Sequence, residues 1–409
     1  MSIAASRSWD INAIDISSAF LQGDVLQRDI YLRPPLDACD QNRVWRLKRC
    51  IYGLNDAPRC WYERVKREME RLGGKRSIYD QAVYLWHDEF QQLIGILVSF
   101  VDDFSYCGTN EWCQGVITEI LNTFKISRKS SLSFKYLGLN VVQTKSGISI
   151  DQYEYVNSLK PMELDNDFSG DKILSAAEKS ELRSASGQFS WVVGQTRPDM
   201  AFENCQLSNY GRKPTYRYLR DANKALRKMK RNQVQLKFPK IENIEQGNII
   251  CYADATHASL PGGGSQGAHI IFIKGEGENC VPISWQSKKL SRVTKSPLAS
   301  ETLAVNDGAD ASYLLASIMQ EIFPTSKRML IEVVTDSQSL QDTSSTSNIV
   351  KDARLRVDMA RLRQMVERNE IEVTWMKGSR HLADTMTKKC ASANTLLEVL
   401  QTSALPKEQ

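Results

Sequence analysis

The stretch that most constrains this chain reads Leu93-Ile94-Gly95-Ile96-Leu97-Val98-Ser99-Phe100-Val101-Asp102-Asp103-Phe104. A near-continuous apolar run of this kind is central-strand material. Yet it ends in two adjacent carboxylates and then turns apolar again. Burying unpaired charge is very costly, so a buried pair needs compensation, and a bound cation is the natural candidate. Taken alone, the stretch reads rather as a strand that simply ends with both carboxylates in water. The rest of the chain decides between the two.

With 409 residues the chain can build two or three domains, each with its own core. Hydrophobic and charged fractions of 42% and 25% are those of a soluble globular protein. No apolar run reaches the length of a transmembrane helix, and the N-terminus lacks the apolar core of a signal peptide. Nine cysteines, scattered without C-x-x-C pairs, fit neither a disulfide scaffold nor a zinc site and suit a reducing, intracellular setting. Charge is unevenly placed. Residues 212–240 hold eleven Lys/Arg against one acid, Asp221, a local +10 in a chain of net +5. Such a segment suggests a polyanion-binding surface.

In chain order, residues 9–15 read as a strand ending at Asp15, with Ser17-Ser18 opening a short helix. A lone aspartate there is ordinarily a cap or turn residue. Residues 30–35 are extended and stopped by prolines, and 44–49 alternate like an exposed strand. Asp56 and Pro58 predict the N-cap and an early position of a helix running to about Leu72, ended by Gly73-Gly74. Residues 83–86 and 93–104 read as a hairpin, 112–124 as an amphipathic helix, and 134–141 with 147–150 as a second hairpin. A helical pattern fills 175–210. In the basic segment beyond it, Leu219, Ala222, Leu226 and Met229 share one helical face, and Arg220, Lys224, Arg227, Lys228 and Arg231 line the other. A solvated surface helix would show the same amphipathicity, but it would mix its signs of charge.

A new domain is expected from about residue 246. Strands at 248–255, 268–273 and 281–286 precede a long helix at 298–322, a strand at 329–336, a helix at 352–367, a strand at 371–375 and a terminal helix. This is an α/β layered domain with a mixed sheet. Gly262, Gly264 and Gly267 match G-x-G-x-x-G, but a strand follows where the dinucleotide fingerprint needs a helix, so a hairpin turn is expected instead. Four acids stand at informative places: Asp254 on the first strand, Glu301 in the first turn of the long helix, Asp336 ending the fourth strand, Asp384 opening the last helix. If the first and fourth strands are neighbours, Asp254 and Asp336 can converge. Converged carboxylates repel and hold protons unless a divalent ion is present, and oxygen-only ligands suit magnesium or manganese. Two such ions can activate water and stabilise a leaving phosphodiester oxygen.

Tyr252-Ala253-Asp254, Ser300-Glu301-Thr302, Thr335-Asp336-Ser337 and Leu382-Ala383-Asp384-Thr385-Met386-Thr387-Lys388 resemble the ribonuclease H domain of copia-type retrotransposon polyproteins. The first half resembles the reverse transcriptase of the same family. Asp15-Ile16-Ser17-Ser18-Ala19-Phe20 is similar to its first catalytic motif, Ile51-Tyr52-Gly53-Leu54 with Trp61-Tyr62 to its substrate-binding motif, and Phe100-Val101-Asp102-Asp103 to its metal-binding turn, with Phe for the usual Tyr. Phe134-Lys135-Tyr136-Leu137-Gly138 also fits. The resemblance implies a polymerase palm (an antiparallel sheet with helices), a helical connection and a ribonuclease H-like domain.

It further implies that Asp15 and Asp102 hold two Mg2+ (or Mn2+) ions between primer and incoming deoxynucleoside triphosphate, with Asp103 in support. Phe20 would be a gate against a ribose 2′-hydroxyl, though an ordinary core aromatic would look the same. Asp254, Glu301, Asp336 and Asp384 would hold two ions in the nuclease, and His381 would either assist product release or act as a polar cap. Partners would be an RNA–DNA hybrid, template RNA and primer, with no membrane, in a cytoplasmic particle or the nucleus.

The expected division is 1–165 for the palm, 166–245 for a helical connection carrying the basic helix, 246–392 for the nuclease and 393–409 for a tail. Only fourteen residues precede Asp15, where the family has a fingers region, so the polymerase half is expected to be N-terminally incomplete and poor at extending a primer. Two alternatives stand beside this expectation. One is an inert nucleic-acid-binding remnant of such an element. The other is an ATPase using Val101-Asp102-Asp103, which is disfavoured because the chain lacks a G-x-x-x-x-G-K-[ST] loop.

Overall fold

The computed structural model describes residues 1–38, 42–164, 169–211, 213–260, 262–346, 350–389 and 391–406. Arg212, Pro261 and the expected boundary at 165/166 lie outside the described residues. The chain forms two compact units. One comprises Ser8–Leu137 with Glu321–Thr325, and the other Met1–Arg7, Gly138–Gln320 and Ser326–Gln409. The fold is of mixed α/β and α+β type, with an antiparallel sheet in the first unit and a mixed sheet in the second.

The first unit is built on strand β1 (Asn12–Ile16), helix α1 (Ala57–Arg71), and strands β2 (Lys75–Arg76), β3 (Val83–His87), β4 (Leu93–Phe100), β5 (Asp103–Gly108) and β6 (Ile126–Ser131). The sheet order is β2-β3-β4-β5-β1-β6, with every pairing antiparallel. The run 93–104 is therefore two strands, not the single strand expected. It reverses at Val101, whose φ of 52° is left-handed, so the two aspartates sit in the turn and at the start of β5 rather than at a strand end. The turn is pinned from both sides: Trp61 Nε1 donates to Val101 O at 2.7 Å, and Ile16 N donates to Asp102 O at 2.7 Å.

Cross-strand partners Gly95 and Gly108 leave room for the Trp112 ring, into which a Cβ at either would collide. Trp112 lies in the helical segment 110–123, which contains a π turn over Cys113–Ile117. That segment and α1 share one core with the strands, through Trp61, Met69, Trp112 and Ile120 against Ile14 and Phe104. Asp56 precedes α1 but makes no capping hydrogen bond, because Arg28 takes both of its carboxylate oxygens at 2.9 Å.

The second unit begins with a hairpin of β7 (Leu139–Thr144) and β8 (Gly147–Asp151). Helices α2 (Ala176–Thr196), α3 (Ala201–Ser208) and α4 (Tyr216–Arg231) follow, then strand β9 (Leu236–Pro239), which pairs with β8. Ser175 and Glu178 cap α2 reciprocally. Beyond its end, buried Arg197 binds Asp199 through two bonds of 2.8 Å and donates to Met229 O at 2.9 Å, tying α2 to α4.

The sheet that carries the second acidic cluster comprises β10 (Asn248–Leu260), β11 (Gly264–Lys274), β12 (Cys280–Lys289), β13 (Ile331–Thr335) and β14 (Glu372–Trp375). Its order is β12-β11-β10-β13-β14. The first three strands are antiparallel, and β13 and β14 run parallel to β10. Gly262 and Gly263, both at φ near +75°, make the β10–β11 turn, and β11 starts at once, as a hairpin rather than a dinucleotide loop requires. Helix α5 (Pro297–Ile322) lies on this sheet. At Gly308 it approaches so closely that a Cβ would stand 2.7 Å from Cys251 Sγ. Helices α6 (Gln338–Ser345) and α7 (Ala353–Glu367) link β13 to β14, and α8 (Asn394–Thr402) closes the unit. α6 is an element the sequence pattern did not announce.

Candidate nuclease and polymerase sites

Parallel pairing of β10 with β13 sets the C-terminal end of β13 beside the middle of β10, with Tyr252 opposite Val334. Asp254 and Asp336 thus lie near one another, and α5 lowers Glu301 onto them. Asp254, Glu301 and Asp336 each place one carboxylate oxygen within 4.8 Å of the others, a geometry that could hold a metal ion. Asp254 is 1% exposed and Glu301 8%. Asp254 Oδ1 and Glu301 Oε2 are buried without a hydrogen-bond partner. Burial pushes the Glu301 carboxyl up to about 9, with the charges of Asp254 and Asp336 adding to the effect. Asp254 is raised in the same way, chiefly by burial, against the pull of Lys388 and Thr387. An oxygen-only donor set with two orphaned buried oxygens fits a hard divalent cation.

Asp384 sits on a single 3-10 turn, Asp384–Met386. It reaches the cluster through Lys388, which bonds Asp384 closely and approaches Asp254 at 3.8 Å and Asp336 at 3.9 Å. Thr387 donates a short hydrogen bond to Asp254 Oδ2. His381 is 4% exposed; its Nε2 lies 3.0 Å from Val334 O and its ring meets Tyr252 edge-on. Its Nδ1 is buried and unpartnered. Trp375, largely exposed, anchors its Nε1 on Asp336 O at 3.0 Å.

In the first unit, Asp15 and Asp103 are direct cross-strand partners, and Asp102 lies in the adjoining turn. All three are half-buried. Burial first, then Asp15 and Asp102, raises the Asp103 carboxyl above its ordinary value. Asp102 Oδ1 is buried and unpartnered, while Oδ2 accepts from Tyr52 Oη at 2.8 Å. Asp15 Oδ2 accepts from Ser127 Oγ at 2.5 Å. Phe20 is half-buried on the 3-10 turn Ala19–Gln22, 4.6 Å from the Tyr52 ring, and lines a cavity of about 370 Å³ with Pro58, Trp61, Tyr62 and Val65.

On α4 the buried face is Tyr216, Leu219, Ala222, Ala225, Leu226 and Met229. Lys224, Arg227 and Arg231 are exposed, and Arg220 is half-buried near the Tyr216 ring. Lys228 is paired with Glu203 at 2.6 Å. Of the groups that matter here, Lys388, Thr387 and Tyr52 stood within quoted motifs but were given no role of their own, and Ser127 was missed. Lys388 stands four residues after Asp384, a spacing that sets a cation beside a carboxylate. Ser127, 112 residues from Asp15, left no local signal.

Residues 1–170 match the family described as reverse transcriptase (RNA-dependent DNA polymerase). The chain is 25% identical over 415 residues to the retrovirus-related Pol polyprotein from transposon RE1 of Arabidopsis thaliana, covering 95% of this chain and 27% of that protein. It is also 25% identical over 417 residues to the retrovirus-related Pol polyprotein from transposon TNT 1-94 of Nicotiana tabacum, covering 95% and 30%. It thus spans little more than a quarter of the length of these relatives. Among solved structures, a foamy viral protease-reverse transcriptase in complex with RNA/DNA hybrid matches with a TM-score of 0.49 and 13% identity, covering 90% of this chain and 44% of that one. Among the described residues, no helix is long and apolar enough to cross a membrane.

Proposed function

We propose that this chain, similar to transposon Pol polyproteins along nearly all its length, is their reverse transcriptase–ribonuclease H portion and hydrolyses the RNA strand of RNA–DNA hybrids. The observation that carries this reading is the convergence of Asp254, Glu301 and Asp336 with two buried, unpartnered oxygens. Mg2+ or Mn2+, two per site, would be held by these three carboxylates and Asp384, and when bound would supply an activated water and charge stabilisation for the leaving oxygen. Asp254 and Glu301, buried, fix their oxygens with little freedom and exclude bulk water. Thr387 orients Asp254 by its short hydrogen bond. Trp375, held on Asp336 O, presents its ring beside the site.

In the first unit, Asp15 and Asp102 would be the metal ligands of nucleotidyl transfer with Asp103 in support, and Phe20 would line the nucleotide pocket. Arg220, Lys224, Arg227 and Arg231 would track phosphates of the hybrid, with Lys228 held back by Glu203. Template RNA, primer and deoxynucleoside triphosphates are the partners on this reading, and the setting is intracellular. The finer partition at 165, 245 and 392 is part of the same proposal. Incubating the chain with a labelled RNA–DNA hybrid and magnesium tests it. Cleavage confined to the RNA strand, lost in Asp336→Asn, is expected; an intact hybrid with the folded wild-type chain would refute it.

A further inference from the structure

Lys388 is a cation already inside the acidic cluster. Its ammonium bonds Asp384 closely and stands 3.8 Å from Asp254 Oδ2 and 3.9 Å from Asp336 Oδ2. A single positive charge faces three carboxylates and the nearby Glu301, and it leaves Asp254 Oδ1 and Glu301 Oε2 without partners. A divalent ion held by Asp254, Glu301 and Asp336 would lie within a few ångströms of that ammonium. At such separations, in a poorly solvated site, the repulsion between the two cations is strong. The Lys388 side chain is 38% exposed, so the ammonium has a path out to water.

We propose that Lys388 is a built-in counter-cation that competes with divalent ions for Asp254, Asp336 and Asp384, holds the metal-free site together, and leaves when metal loads. Lys388 thus sets the metal concentration at which the site fills. This rests on the metal site proposed above, and the experiment separates the two.

Mg2+ and Mn2+ are titrated calorimetrically into the full chain without nucleic acid, for wild type, Lys388→Met and Lys388→Arg. The Met variant is expected to bind about tenfold or more tightly, the scale set by removing one charge-assisted competitor, while Arg stays near wild type. In EDTA the Met variant should melt below wild type, and saturating Mn2+ should close the gap. Metal binding by Lys388→Met that equals or falls below wild type overturns the proposal while leaving the metal site intact. Absence of binding in every protein overturns both. Should the Met variant not fold, reductive methylation of the wild type decides. Lys388 labelling should rise on adding metal, and labelling that stays flat or falls contradicts displacement.

Discussion

Two acidic sites on one chain have met the same electrostatic problem differently. In the second unit, carboxylates from the middle of β10, the end of β13 and the first turns of α5 are brought together, with Asp254 and Glu301 buried and Asp336 half-buried, so little water screens their repulsion. Hydrogen bonds leave Asp254 Oδ1 and Glu301 Oε2 unpartnered there, and the Lys388 ammonium stands among the carboxylates. In the first unit, Asp15, Asp102 and Asp103 come from neighbouring antiparallel segments and stay half-exposed. Ser127 and Tyr52 occupy an oxygen each on Asp15 and Asp102. Deeper burial thus leaves two orphaned oxygens in the second unit, whereas hydroxyl donors satisfy most of the first site and leave only Asp102 Oδ1 buried and unpartnered.

Four experiments break or sharpen that contrast. The largest effect is expected from Asp336→Asn, which should lower hybrid cleavage at least about a thousandfold, ~4 kcal/mol of barrier, while circular dichroism shows the fold retained. Loss of folding together with activity would mean that the cluster is structural. Next, primer extension on an RNA template should be far weaker than hybrid cleavage at equal magnesium, and what remains should vanish in Asp102→Asn. Extension as fast as cleavage would show that Tyr52 and Ser127 yield readily to metal.

The third concerns pH. Glu301 holds its proton up to about 9 in the metal-free fold, against an ordinary value of 4.5. A raised carboxyl pKa means that the folded state binds the proton more tightly. Its stability contribution is therefore full below the unfolded value and drains away as pH rises through the folded one. Melting temperature in EDTA should accordingly fall between about pH 5 and about pH 9, saturating magnesium should flatten that slope, and Glu301→Gln should remove much of it. A slope that Glu301→Gln leaves untouched would point to another group.

The smallest effects belong to α4. Replacing Lys224, Arg227 or Arg231 by Gln should each lower the log–log salt slope of hybrid binding by about 0.7–0.9. Lys228→Gln should change it less, because Glu203 already neutralises that lysine. Equal effects at all four positions would show that the Glu203 pair opens on binding.

The strand–helix order of the mixed sheet was legible because its strands and α5 carry distinct periodicities, and Glu301, Asp336 and Asp384 stand near element ends, although Asp254 lies mid-strand in a β10 longer than the expected 248–255. Strand alternation also exposed the false dinucleotide fingerprint. What the pattern hid was local geometry. The reversal at Val101 has no glycine or proline to mark it; Trp61 and Ile16, distant in sequence, hold the turn from outside. Asp56 has the composition of an N-cap, yet Arg28 claims it from 28 residues away. Lys388 lay within a motif already singled out, but its role depends on Asp254 and Asp336 arriving from elsewhere, which single-residue spacing cannot encode.

The contrast between the two sites is tested most directly by anomalous scattering from crystals of the full chain soaked in Mn2+ without nucleic acid. Strong peaks are expected among Asp254, Glu301 and Asp336, with weak or no density between Asp15 and Asp102. Density at Asp15 and Asp102 with none at the Asp254 cluster would contradict it.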